Sequence, residues 1–150
     1  MPLKFRHKAV PSALFGVVYR PIADVLVRTK DKGNWVSVSM IIDTGADYTI
    51  MPKRYAPLLG IDVNVDCMEH RTQGIGGSET VYLCRDITVR LGRWERHIPL
   101  GFLDRDDIPP LLGRQDFLET FRAIFERHET TFEQPRKQQV TNTVLRMNGG

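Results

Sequence analysis

The residues best able to do chemistry in this chain are Asp43-Thr44-Gly45-Ala46-Asp47, which directly follow the apolar pair Ile41-Ile42. A strand that turns apolar and then ends in a carboxylate, a hydroxyl and a glycine sets an acid at the floor of a cavity. Desolvation there raises the pKa of the carboxyl group, which suits it to proton transfer. Gly45 lets a ligand or partner approach the backbone closely. On the tripeptide alone, a turn between two strands explains the same residues better.

Two further segments carry information. In Pro110-Leu111-Leu112-Gly113-Arg114-Gln115-Asp116-Phe117-Leu118, apolar residues and a glycine run into a helical pattern, with Gly113 standing 70 residues after Asp43. In Gln73-Gly74-Ile75-Gly76-Gly77-Ser78, three glycines surround one isoleucine, which makes a backbone-exposing hairpin tip suited to closing over a ligand. A phosphate loop does not fit this segment. Glu79 stands where the dinucleotide pattern needs a third glycine, strand-like Val81-Tyr82-Leu83 follows where a helix is needed, and there is no Walker lysine.

Other chemistries lack their residues. His7, His70, His97 and His128 have no ligand spacing and no Cys-x-x-Cys occurs, so neither a metal nor another cofactor is expected. Asp104-Arg105-Asp106-Asp107 lacks the glycine and terminal glutamate of a calcium loop and reads as a solvated loop. There is no Gly-x-Ser-x-Gly elbow for a serine nucleophile.

The elements that must position these residues are mostly strands. Asp24 to Arg28 and Trp35 to Ile42 form a hairpin around the turn Lys30 to Gly33, its second strand entering the core just before Asp43. Pro52 to Leu59 suits a short helical turn stopped by Gly60. A second hairpin spans Cys67 to Arg90, Trp94 to Leu103 alternates as a strand, and Asp116 to Phe121 suits a helix. Phe121 to Phe132 reads as strand, turn and strand. With the hairpin tip between Ile75 and Gly76, facing residue numbers sum to 151. That register sets Met68 opposite Leu83, Cys67 opposite Cys84 and Asp66 opposite Arg85. A Cys67–Cys84 disulfide is conceivable, but two reduced, partly buried thiols are the preferred reading.

Size and composition bound what these elements can build. The chain has 150 residues, of which 41% are hydrophobic and 26% charged, as in an ordinary globular domain able to bury a core unaided. Residues 1–14 read as a basic arm, 15–134 as the folded domain, and 135–150 as a polar, disordered tail. The net charge of +3 sits largely at the ends, in Lys4, Arg6 and Lys8 and in Arg136, Lys137 and Arg146. Solvated ends explain this better than nucleic-acid binding, since no basic stripe with interleaved aromatics accompanies them. No stretch is apolar enough for a membrane span. Ala9 to Tyr19 loosely follows the pattern of a signal segment, but Pro11 and Ser12 interrupt it and it reads as a mature strand. Two cysteines fit a reducing cytoplasm.

Taken in order, the segments resemble the retropepsins, the single-domain aspartic proteases of retroviral type. Arg20-Pro21-Ile22 is similar to their Arg-Pro-apolar start. Asp43-Thr44-Gly45-Ala46-Asp47 is similar to their active-site loop, Gly74-Ile75-Gly76-Gly77 to their flap tip, and Leu111-Leu112-Gly113-Arg114 to the segment before their C-terminal helix. The likeness spans about residues 19–133. It implies an all-β fold, a closed acid-protease β-barrel with one or two short helices and a flap hairpin.

The resemblance also implies a function. Two carboxylates share one proton, because like charges about 3 Å apart cannot both ionise. The ionised one takes a proton from water, and the protonated one donates to the scissile carbonyl. This sequence contains a single Asp-Thr-Gly and no internal repeat, so it holds half of such a site, and the implied enzyme is a homodimer with Asp43 from each copy. By resemblance, Thr44 hydrogen-bonds across the two-fold axis, and the Gly45 carbonyl and the flap backbone hold an extended peptide. Asp47 pairs with Arg114 of its own chain and with Arg20 of the partner subunit, while Leu112 and Gly113 support the loop. Ala46 takes the place of a serine that bonds the catalytic carboxylate in pepsins, which implies a pH optimum less acid than theirs. A non-catalytic dimeric peptide-binding module of the same fold is the alternative, and a basic nucleic-acid-binding β domain rests on the tails alone.

Overall fold

In the computed structural model, residues 1–74 and 77–135 are described. Among the described residues, twelve strands run in the order β1 (Leu3–Arg6), β2 (Lys8–Ser12), β3 (Gly16–Arg20), β4 (Ile22–Arg28), β5 (Trp35–Ile42) and β6 (Thr49–Pro52), then β7 (Met68–Gly74), β8 (Gly77–Leu91), β9 (Trp94–Leu103), β10 (Leu111–Leu112), β11 (Arg122–Glu126) and β12 (Glu129–Glu133). Neighbours in the main sheet follow the order β4, β5, β10, β6, β9, β8, and β4 pairs back onto β8 through Leu26–Arg90 and Val27–Val89. The six strands therefore close into a ring, with β7 added outside on β8. Closure leaves this sheet no free edge within the ring.

Alternation explains why these segments are strands. On β4, Ala23, Val25 and Val27 are buried between exposed Asp24 and Arg28, and on β5 Val38, Met40 and Ile42 are buried between exposed Ser37 and Ser39. An irregularity on β8 between Cys84 and Ile87 inserts one residue, with Asp86 at φ +61°, so that Ile87, Val89 and Leu91 share the inner face with Cys84. Phe102, Phe117, Phe132, Met40, Met51 and Leu112 fill the centre. The register of β7 on β8 runs from Met68–Leu83 to Gly74–Gly77, as the facing sum of 151 requires.

Three expectations change. Residues 3–6, read as part of a basic arm, form β1, which pairs with β12, and Ala9 to Tyr19, read as one strand, folds back on itself as the two-stranded sheet of β2 and β3. The charges of Lys4 and Arg6 mask an alternation in which Leu3 and Phe5 pack on the core, Phe5 edge-on to Phe132 at 5.9 Å. The helix expected over 116–121 is only a 3-10 turn at Leu118–Thr120, because Asp116 takes φ +58° and Phe121 is already extended.

Asp66 does not face Arg85. It ends the short helix α1 (Val63–Asp66), which Asp62 caps by accepting from Asn64 N at 3.0 Å, and Asp66 pairs with Lys30 at 3.3 Å. Cys67 and Cys84 are neighbouring free thiols, and Cys84 Sγ donates to the Asp66 carbonyl at 3.4 Å. The polar tail expected from residue 135 lies, from 136 onward, outside the described residues. Among the described residues no helix is long and apolar enough to cross a membrane.

Candidate active site

The loop 43–48 joins β5 to β6, and the chain returns between these two strands as β10. Leu111 and Leu112 pair in parallel with Ile41 and Ile42, and Leu111 faces Ile50 in antiparallel fashion. Asp43 therefore leaves its strand beside a second, non-local strand. Its amide donates to the Leu112 carbonyl at 3.0 Å, and the Ile42 amide donates to the Pro21 carbonyl at 2.8 Å.

The loop is held from within and from the segment after β10. Gly45 N donates to Asp43 Oδ1 at 2.9 Å, which fixes the carboxylate, and Ala46 N donates to the Asp43 carbonyl at 3.1 Å. Arg114 N and Gln115 N donate to the carbonyls of Ala46 and Asp47 at 3.0 and 2.8 Å. The Arg114 guanidinium meets Asp47 Oδ1 at 2.6 Å. Gly113 N donates to the fully buried Thr49 hydroxyl at 3.1 Å. A Cβ on Gly113 would stand 2.2 Å from the Tyr48 carbonyl carbon and 2.3 Å from its oxygen, so no other residue fits there without moving backbone.

Asp43 is half-buried while Thr44 and Gly45 are exposed. The closed floor expected from the sequence is thus open on the side of Thr44 and Gly45. Arg20 lies exposed at the end of β3, with no ion-pair partner in its own chain among the described residues. At the flap, Gly74 and Gly77 form the last pair of the hairpin, and Gly77 has φ +114° with open space where a Cβ would be. Ile75 and Gly76 lie outside the described residues.

Two neighbours were not singled out in the sequence. Thr49 anchors Gly113, and the signal for it was a hydroxyl directly after the acid-rich loop. Tyr48 packs its ring where Gly101 leaves room, a Cβ there lying 2.7 Å from Cε2. Burial, and then the charges of Asp47 and Glu79, raise the Tyr48 phenol above its ordinary pKa. With Asp47, Leu83, Arg85, His97 and Gln115 it lines a cavity of about 450 Å³ beside the loop. Glu79 on the flap strand also reaches Arg105 at 3.4 Å, and Arg105 grips Asp107, which holds that carboxyl below its ordinary pKa.

A solved structure of the same architecture is the retropepsin-like aspartic protease from Rickettsia conorii, with a TM-score of 0.64 at 18% identity over 87% of this chain and 98% of that one. This is a likeness of fold. No curated protein sequence matches the chain. The sequence does match the family described as "gag-polyprotein putative aspartyl protease" over residues 32–120, a span that holds the loop at Asp43, the flap hairpin and Gly113-Arg114. That span is more than half of the chain and contains the whole of the pinned loop, so the protein belongs to this retropepsin-like aspartic protease family.

Proposed function

We propose that the chain is a homodimeric aspartic endopeptidase in which Asp43 of each copy forms one catalytic pair. The observation that carries this reading is the pinned but open loop. Backbone bonds to Leu112, Arg114 and Gln115 pin the loop at Asp43, Ala46 and Asp47, yet Thr44 and Gly45 between them are exposed. A second copy related by a two-fold axis would bring an identical loop against it and complete the site.

In that pair one carboxylate removes a proton from water as the oxygen attacks the peptide carbonyl, and the other carboxyl gives its proton to the carbonyl oxygen. The C–N bond then breaks as the amine nitrogen takes up a proton from the pair. Thr44 bridges the two loops, and the Gly45 carbonyl with the flap residues Gly74, Ile75, Gly76 and Gly77 holds the substrate as an added strand. Arg20 supplies the cation that the exposed side of Asp47 lacks, so that each Asp47 lies between its own Arg114 and Arg20 of the partner subunit. A peptide library incubated with the wild type and with Asp43→Asn tests the assignment. Cleavage by the wild type that the substitution abolishes supports it, and equal cleavage by both refutes the mechanism.

A further inference from the structure

We infer that the hairpin β2–β3 is a dimer clasp whose apolar outer face packs on a second copy of this chain; the inference rests on the homodimeric reading above. The two strands form a sheet of their own, separate from the ring and from the three-stranded sheet. Cross-strand pairing puts Ala9 beside Tyr19 and Pro11 beside Val17 on one face, and all four are exposed. The opposite face carries the half-buried Val10 and Val18. At the tip Leu14 is 82% and Phe15 73% exposed, and along β3 Val17 and Tyr19 remain 47% and 46% exposed. An isolated two-stranded hairpin is marginal in water without a further layer to cover it.

Charge, position and area together select a second copy as the occupant. Residues 9–19 contain no charged side chain, and the hairpin's two cations, Lys8 and Arg20, pair at its base on the opposite face, so the apolar face is one on which two identical copies meet without repulsion. The hairpin also lies beside the incomplete site. Strand β3 ends at Arg20, and the next residue, Pro21, accepts the amide of Ile42, the residue before Asp43. The other end of the hairpin is fixed by the His7 amide on the His128 carbonyl at 2.8 Å and by Tyr19 stacked on His128 at 3.9 Å. A contact limited to Asp43, Thr44 and Gly45 falls well short of the roughly 800 Å² per partner of a stable interface. The exposed hairpin face supplies the apolar area that the loop lacks.

The test combines sedimentation equilibrium with hydrogen exchange on the full chain, over concentrations that span the monomer–dimer transition. The expected result is that protection of residues 9–19 rises with the dimer fraction. Phe15→Ser/Val17→Thr should also raise the dimer Kd about thirtyfold, the size of an interface anchor's truncation. A dimer whose hairpin exchanges as in the monomer, with an unchanged Kd in the double variant, overturns the clasp and leaves the homodimeric reading standing. Equal protection of 9–19 in the monomer also overturns it, since a segment of the same chain such as 136–150 then covers the face. A wild type that stays monomeric while it cleaves peptides overturns both readings. The exchange measurement needs only the wild type, so it decides even if the double variant does not fold.

Discussion

The Cβ position of Gly113 lies 2.2 Å from the carbonyl carbon of Tyr48, 65 residues earlier in the chain. Two backbones that close can coexist only without a side chain, and the contact locks the loop bearing Asp43 against the segment after β10. Gly113→Ala forces one of them to shift. The expected cost is about 1–3 kcal/mol, typical of overpacking, and thermal unfolding at neutral pH reads it directly. Peptide cleavage should fall further than stability accounts for, because the Asp43 amide bond to Leu112 moves with the shift. An unchanged melting temperature would show that the loop is not clamped here.

Asp47 and Arg114 meet at 2.6 Å on the surface, both side chains exposed. An ion pair so wet contributes about 0–1 kcal/mol, so Asp47→Asn should melt within a few degrees of the wild type. If Asp47 also receives Arg20 of the partner subunit, the same substitution weakens dimerisation and cleavage by at least about tenfold, the loss expected when one member of an interface charge pair is truncated. Loss of fold in Asp47→Asn would make the pair structural. Unchanged dimerisation would remove the proposed inter-subunit bond.

How much of this was legible in the sequence depended on range. The flap register was readable because its pairing is local, so that Met68 opposite Leu83 follows from the turn position alone. The alternations of β4, β5 and β9 were readable for the same reason. Strand β10 was not recognisable as a strand between β5 and β6, since two residues carry no period and the pairing spans 70 positions. Asp116 at φ +58° broke a helix that its flanking residues favour, because non-local bonds from Arg114 and Gln115 to the loop fix the chain there first. Strand β1 is hidden in the sequence by Lys4 and Arg6, whose charges are equally those of a solvated arm. Among site residues, the motif positions were visible, while Tyr48 and Thr49 matter only through contacts with Gly101 and Gly113.

Two groups make the fold sensitive to alkali. Burial, with Cys84 beside it, pushes the Cys67 thiol from 9.0 up to about 12, and the Tyr48 phenol is raised above its ordinary 10.0. Both groups are protonated in folded and unfolded chains at pH 8, so the associated stability is fully present there. As the pH climbs past the ordinary values, the unfolded chain loses these protons first and stability falls through the folded pKa of each group. Melting curves at pH 8 and pH 11 should therefore converge for Tyr48→Phe/Cys67→Ala more than for the wild type. Parallel losses in the two proteins would contradict the assignment.

The shared site is tested most directly by mixing. Wild-type chain and Asp43→Asn are combined in equal amounts, allowed to exchange subunits, and assayed on a cleavable peptide at fixed total concentration. If a pair needs Asp43 from both copies, only about one dimer in four is active, and the rate falls to about a quarter of that of the wild type alone. A rate near half would mean that each chain acts by itself and would contradict the account.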